Sequence, residues 1–285
     1  MKSIKIIKIT EQVKKLLIKS SFGLPPDIEE ALAVAMMRES NQRAKEILKL
    51  ILKNEEVAGR QKLPLCQDCG LVYIDIDIGR DIIIEEAGNL KELINKEVAD
   101  IYNKYYLRRS VVTDPLYERK NTSNNTPAII HTFFTQGTDI HIKLYLKGGG
   151  SENCSALYML DPSTEEDEII KLAVNRVRET VTKCCPPVIL GIGIGGSSSE
   201  VAKLARVASF RDIRKRNPDN RYKKLEGRIL EAVNKTGIGP QGLGGETTAL
   251  ACNIEYAPCH MATLPLAIFM GCHSMRRADS KISPP

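Results

Sequence analysis

The chain has 285 residues, 42% of them hydrophobic and 27% charged, and carries a formal net charge of +6. That length can bury a sizeable core near the size at which one domain divides, so a single domain over 1–285, or two lobes sharing its core, is expected. No apolar run reaches the ~20 residues that span a bilayer, and aromatics at 5% with no tryptophan leave little base-stacking material for a nucleic-acid binder, so neither membrane nor nucleic acid is expected as a partner.

In chain order, MKSIKIIKITEQVKKLL starts with the positive charge of a signal peptide. Lysines interrupt its apolar part and no small-residue cleavage site follows, so it reads as an amphipathic helix. Pro25-Pro26-Asp27 announces a helix start, and apolar residues at helical spacing predict one long helix over 28–52. VYIDIDIG at 72–79 alternates with period two, as a half-buried strand does. A helix over about 90–107 follows, then the polar loop ERKNTSNNT, then the alternating strand of TDIHIKLYLKGGGSEN. Helix returns over about 164–183. CCPPVILGIGIGGSSSEVAKLARVASF reads as breaker, apolar strand, glycine turn and capped helix. The basic run at 211–228 interleaves acidic residues and reads as a solvated helical face and linker. One more helix, about 221–235, precedes the glycine-rich TGIGPQGLGGETTALACNIEYAPCH with its strand-like centre. The fold class is therefore mixed α/β, a central sheet with surrounding helices.

Glycine concentrates at 148–150, 191–196 and 237–245, each near a cysteine. Such clusters point to backbone brought close to something or held at positive φ. Gly191-Ile-Gly193-Ile-Gly195-Gly196 formally fits G-x-G-x-x-G, but the second strand with its acidic end is missing, which leaves a dinucleotide site weakly supported. A helix N-terminus there could equally receive a carboxylate or a cluster's anionic charge.

Eight cysteines in a chain of this length argue against a disulfide framework and for reduced thiols in the cytoplasm. Cys66 and Cys69 stand in C-x₂-C spacing, half of a zinc site whose second pair is missing. A thioredoxin-like dithiol would open a helix, whereas this pair enters a strand. Cys185 precedes Pro-Pro, Cys259 lies in P-C-H and Cys272 in G-C-H-S-M-R-R, while Cys154 and Cys252 read as small buried residues.

Six blocks in unbroken order, PLCQDCG, LRRSVV-x-DPL with NTPA, KGGGSEN, CPP-x-x-LGIGIGG, TGIGPQGLGGETTAL and PCHMATLPLAIFMGCHSMRRA, resemble the catalytic subunit of the class I iron-sulfur fumarases and of L-tartrate dehydratase. The resemblance runs from about residue 10 to the C-terminus. It implies an iron-sulfur hydro-lyase fold and a [4Fe–4S] cluster held by Cys66, Cys185 and Cys272, with one iron left open for substrate. It also implies substrate contacts at Gln67, Arg108 and Gly149, with Asp68 and His260 in catalytic roles. The implied reaction is reversible hydration of fumarate to L-malate, with L-tartrate dehydration as the near alternative and a non-catalytic redox or sensor protein as one of a different class. The chemistry suits the ligands: three thiolates leave one iron unclaimed, and an open metal position can act as a Lewis acid on a poor hydroxyl leaving group.

Two positions depart from the family pattern, in which C-Q-D-T-G and P-T-H are usual: here the threonines are Cys69 and Cys259. Each change keeps a small side chain with weak donor ability, so Cys69 is expected to be a spectator. Single-chain members continue into a second domain that supplies further cationic contacts and the carbon-proton base. This sequence ends at RRADSKISPP, so the resemblance implies an α subunit completed by a β subunit in a hetero-oligomer with α–α contacts.

Overall fold

The computed structural model describes residues 2–85 and 88–284. In chain order its elements are β1 (Lys2–Lys5), α1 (Ile6–Phe22), α2 (Pro26–Arg38), α3 (Gln42–Gln61), β2 (Leu71–Gly79), β3 (Ile82–Glu85), α4 (Leu90–Lys104), β4 (Ile129–Thr135), β5 (Ile140–Lys147) and the single turn α5 (Gly149–Glu152). They continue with β6 (Ala156–Leu160), α6 (Glu166–Thr180), β7 (Val188–Gly195), α7 (Ser198–Phe210), α8 (Asn220–Asn234), β8 (Ala249–Ala257), β9 (Leu264–Gly271) and β10 (Arg276–Ile282). This is the mixed helix and strand architecture that the periodicities predict. The chain forms two compact units, one of residues 1–25, 55–149 and 276–285, the other of residues 26–54 and 150–275.

The first unit is built on a four-stranded sheet in the order β10-β5-β2-β4. Alternation in β2 sends Val72, Ile74 and Ile76 to one face, where Ile140, Ile142, Leu144 and Leu146 of β5 join them. Ile9, Val13, Leu16 and Leu17 of α1 and Ile94, Val98 and Ile101 of α4 close over that face. Each such side chain contributes roughly 1.5–3 kcal/mol on burial. The opposite face carries Asp75 and Asp77 beside His131, His141 and Lys143, with Lys143 Nζ 2.8 Å from Asp77 Oδ2 and His131 Nδ1 3.1 Å from Asp75 Oδ1.

The second unit holds the sheet β6-β9-β7-β8. Every residue of β7 is buried, because the sheet is covered on both faces. Ile169, Ala173 and Val177 of α6 and Leu225, Ile229 and Val233 of α8 pack on Val188, Leu190 and Ile192, while Val201 and Ala205 of α7 meet Ala267 and Phe269 on the other side. Gly191 and Gly193 lie within β7 on the α7 side. A Cβ at Gly191 would overlap the Ala205 carbonyl and the Ser209 backbone, and one at Gly193 the Val201 carbonyl. These two glycines thus let a helix approach a strand closely, and only Gly195 and Gly196 of the run take positive φ.

Several local expectations change. The helix over 28–52 is two helices, because Asn41 accepts the Ala44 N–H at 3.1 Å and caps α3, while Glu39 is drawn out to accept the Glu246 N–H. The N-terminal helix is preceded by β1, which pairs in parallel with β3. The basic run is not simply a solvated face. Glu226 within it is fully buried, and Arg211 and Arg216 turn inward to pair with its two oxygens, Arg216 Nε at 2.9 Å.

Candidate functional site

In the first unit the site is a loop, residues 65–70, between α3 and β2. Gly70 has φ +80°, and a Cβ there would stand 2.7 Å from the Lys147 carbonyl oxygen, so the turn admits only glycine. That turn brings Asp68 against the end of β5. The Asp68 Oδ1 accepts the Gly70 N–H at 3.0 Å, its Oδ2 accepts the Gly149 N–H at 2.6 Å, and Ser110 Oγ lies 3.5 Å from Oδ1. A Cβ on Gly148 would come within 2.9 Å of Asp68 Oδ2. Gly148 is thereby explained as room for a carboxylate, whereas a Cβ on Gly150 would stand 2.2 Å from the Lys183 carbonyl oxygen. The Gly149 N–H, expected to face substrate, is directed at Asp68.

Cys69 turns inward. Its Sγ accepts the Arg108 N–H at 3.2 Å and lies 3.8 Å from the Cys66 carbonyl, and burial pushes its thiol pKa up. The buried Tyr102 hydroxyl stands 3.0 Å from the Cys69 carbonyl and 3.2 Å from that of Gly70, and burial raises its pKa too. Asn125, fully buried and at φ +62°, joins two segments: its Nδ2 donates to the Gly70 carbonyl at 3.1 Å and its Oδ1 accepts the Ser110 N–H at 2.7 Å. Of the two arginines, Arg109 spends its guanidinium on Asn103 Oδ1 at 2.7 Å. Gln67 and Arg108 are exposed.

In the second unit Cys185 and Cys272 belong to neighbouring turns. The Cys185 carbonyl accepts the His273 N–H at 3.3 Å and lies 3.0 Å from His273 Nδ1. Gln241, at φ +55°, donates its backbone N–H to the Pro186 carbonyl at 2.8 Å and its Nε2 to the same oxygen at 3.1 Å. The glycine-rich 237–245 segment is therefore what fastens the Cys185 turn. Cys185 itself has φ +53°, an uncommon conformation for a residue with a side chain. His260 is exposed on a separate turn, where its Nδ1 accepts the Ala262 N–H at 3.1 Å. An Nδ1 that accepts leaves the proton of a neutral ring on Nε2.

The thiols sort by access. Cys69, Cys154, Cys184 and Cys252 are buried, whereas Cys66 and Cys272 are partly accessible and Cys185 and Cys259 exposed. Cys154 Sγ is committed to the Gly150 and Thr180 carbonyls at 3.2 and 3.1 Å, and Cys259 Sγ to the Thr263 carbonyl at 3.3 Å. Cys66, Cys185 and Cys272 are accessible to an external group, as is Cys259, and Cys272 Sγ lies 3.2 Å from Ser274 Oγ; thiolates are what iron-sulfur clusters use, so the donor set fits. Among the described residues no three His, Cys, Asp or Glu side chains could hold a single metal ion. Asn125, Tyr102, Gln241 and His273 are the supports that sequence reasoning passed over; the NTPA and glycine-rich blocks containing two of them were the available signal.

The sequence matches the family described as fumarate hydratase (Fumerase) over residues 10–281. A Methanocaldococcus jannaschii protein provisionally named L(+)-tartrate dehydratase subunit alpha is 37% identical over 280 residues, 97% of this chain and 98% of that one. The L(+)-tartrate dehydratase subunit alpha of Escherichia coli strain UTI89 is 29% identical over 277 residues, 96% of this chain and 91% of its own, and that of strain K12 29% over 272 residues, 95% and 89%. A matched span from residue 10 to 281 that contains both cysteine turns and the Asp68 loop shows that the chain belongs to the fumarate hydratase (Fumerase) family, enzymes of the class I hydro-lyase type.

Proposed function

We propose that the chain is the α subunit of a two-subunit hydro-lyase that adds water to, or removes it from, a four-carbon dicarboxylate. The observation that carries this reading is Asp68: a carboxylate one residue beyond Gln67 and two beyond Cys66, gripped by two backbone N–H groups, with a hydroxyl at its edge. Cys66, Cys185 and Cys272 would hold a [4Fe–4S] cluster, which when bound supplies a Lewis-acidic iron with an open position.

The chain's own residues then divide the remaining work. Asp68, fixed in orientation by Gly70 and Gly149, holds or passes a proton at the substrate hydroxyl. Arg108, whose side chain is exposed while its backbone is pinned to Cys69, is the free guanidinium for a substrate carboxylate. Arg109 is spent on Asn103, which favours Arg108 of the two. Gln67 orients the substrate by hydrogen bonding, and His260 offers an Nε2–H to developing negative charge.

Fumarate and L-malate are the substrates that the family's description favours; L(+)-tartrate is the second reading, favoured by the names of the relatives. The deciding experiment is anaerobic reconstitution with iron and sulfide, followed by iron counting, spectra with and without L-malate, and turnover of fumarate, malate and tartrate with and without a candidate β subunit. Four irons per chain and a spectrum that responds to a hydroxy-dicarboxylate are expected. About two irons, or four with no response to any of the three acids, would sink the reading. Full turnover by the chain alone would remove the β subunit from it.

A further inference from the structure

Arg276 opens β10 and is only 2% exposed. Register places it in one row with Leu146 of β5 and Val72 of β2, so its side chain shares their face, the face that Ala278, Cys69 and Tyr102 also line. Val72 follows Gly70 by two residues and Leu146 precedes Gly148 by two, so this row underlies the Asp68 loop. Arg276 is thus a cation at the loop end of an apolar core. Its Nε has no hydrogen-bond partner, and no ion pair or hydrogen bond of its guanidinium is found among the described residues.

Burying an unpaired charge costs several kcal/mol, and a native protein rarely leaves such a group unmet. The nearby acid does not meet it. Cys69 and Tyr102 both sense Asp68 and Arg276, with opposite signs, yet the Asp68 oxygens are bonded to Gly70, Gly149 and Ser110. We propose that Arg276 is the counter-cation of the Asp68 loop, a buried positive charge whose partner is an anion that the loop takes up. Resting on the hydro-lyase reading, that anion is either a substrate carboxylate or the negative charge of a thiolate-ligated cluster. Arg276 is not among the residues that the family resemblance assigns.

The test uses the full chain with Arg276→Met, Arg276→Gln and Arg276→Lys. In the cluster-free chain, removing an unmet charge should raise Tm, by ~2–4 °C for each kcal/mol relieved in a protein of this size, whereas Arg276→Lys should leave it near wild type. Wild type and Arg276→Lys should gain Tm with millimolar L-malate or L(+)-tartrate and retain iron on dialysis after reconstitution; the neutral variants should lose one or both. Loss of the acid-dependent gain alone identifies a carboxylate as the partner, and loss of iron retention alone identifies the cluster. Neutral variants that keep both responses overturn the proposal, and Arg276→Gln decides if Arg276→Met does not fold. If wild type itself shows neither response, the hydro-lyase reading fails separately. The cluster-free Tm then judges Arg276: a rise upholds an unmet buried charge and a fall overturns it.

Discussion

At the scale of single residues, Cys66 and Cys69 look alike in sequence and are opposites in structure. Cys66 keeps an accessible thiol, while Cys69 is buried, accepts the Arg108 N–H and has its pKa raised by burial. Only the thiolate attacks an alkylating agent. Iodoacetamide at mildly alkaline pH should therefore label Cys185 and Cys259 early and Cys69 and Cys252 only after denaturation, as peptide mass mapping would show; early labelling of Cys69 would contradict its place in the core. Cys69→Thr should hold the Arg108 N–H with its hydroxyl and change stability little. Cys69→Val leaves that N–H unmet and should cost ~1–3 kcal/mol in urea denaturation. Asp68→Asn puts an amide N–H₂ against one of two backbone donors and removes the titrating proton, so kcat of the assembled enzyme should fall ~10²–10⁴-fold. A fall below tenfold would demote Asp68 from proton carrier to loop support. The residues next to motif cysteines were legible in the sequence; Asn125 and Tyr102 were not, because their role lies in which carbonyl each meets across the fold.

At the scale of elements, the glycine run in β7 shows how one pattern can have two physical causes. G-x-G-x-x-G suggests a phosphate cradle, yet Gly191 and Gly193 are inside the strand and make room for α7. Gly193→Ala should therefore destabilise the protein by ~1–3 kcal/mol through overpacking, with no nucleotide-dependent change in Tm for either protein; a variant as stable as wild type would refute the packing account. Strand β2 and helices α4, α6 and α8 were legible because alternation or helical spacing marks a half-buried element over a long enough run. The strands β4, β6 and β10 were not predicted. β6 is five residues long, and β10, RRADSKI, is polar because it is a sheet edge whose outer face carries charge. The helix break at 39–41 was missed because its partner is distant: the Glu39 N–H still bonds the Ala35 carbonyl, but its carboxylate accepts the N–H of Glu246, more than 200 positions away.

At the scale of the whole molecule, order along the chain and order in space diverge. Six motif blocks in sequence carry the family, but the chain enters the second unit at residue 26, leaves it at 55, returns at 150 and leaves again at 276. No composition shift marks these crossings, two of which fall inside helices α3 and α5, so the interleaving could not be read from linkers. It has a consequence for the last ten residues. β10 pairs with β5 in seven registered positions from Arg276↔Leu146 to Ile282↔Ile140 and brings Ala278 into the first unit's core. A chain ending at residue 275 would expose the full length of β5 as an unpaired edge, a template for edge-to-edge association, and would open the apolar core beneath it. The expected outcome is a truncated protein that aggregates or melts at a much lower temperature than the full chain. Thermal melts with light scattering on the truncated and the full chain decide it. A 1–275 chain that stays monomeric with wild-type Tm would mean that β10 is dispensable and that the first unit is completed by residues 1–25 and 55–149 alone.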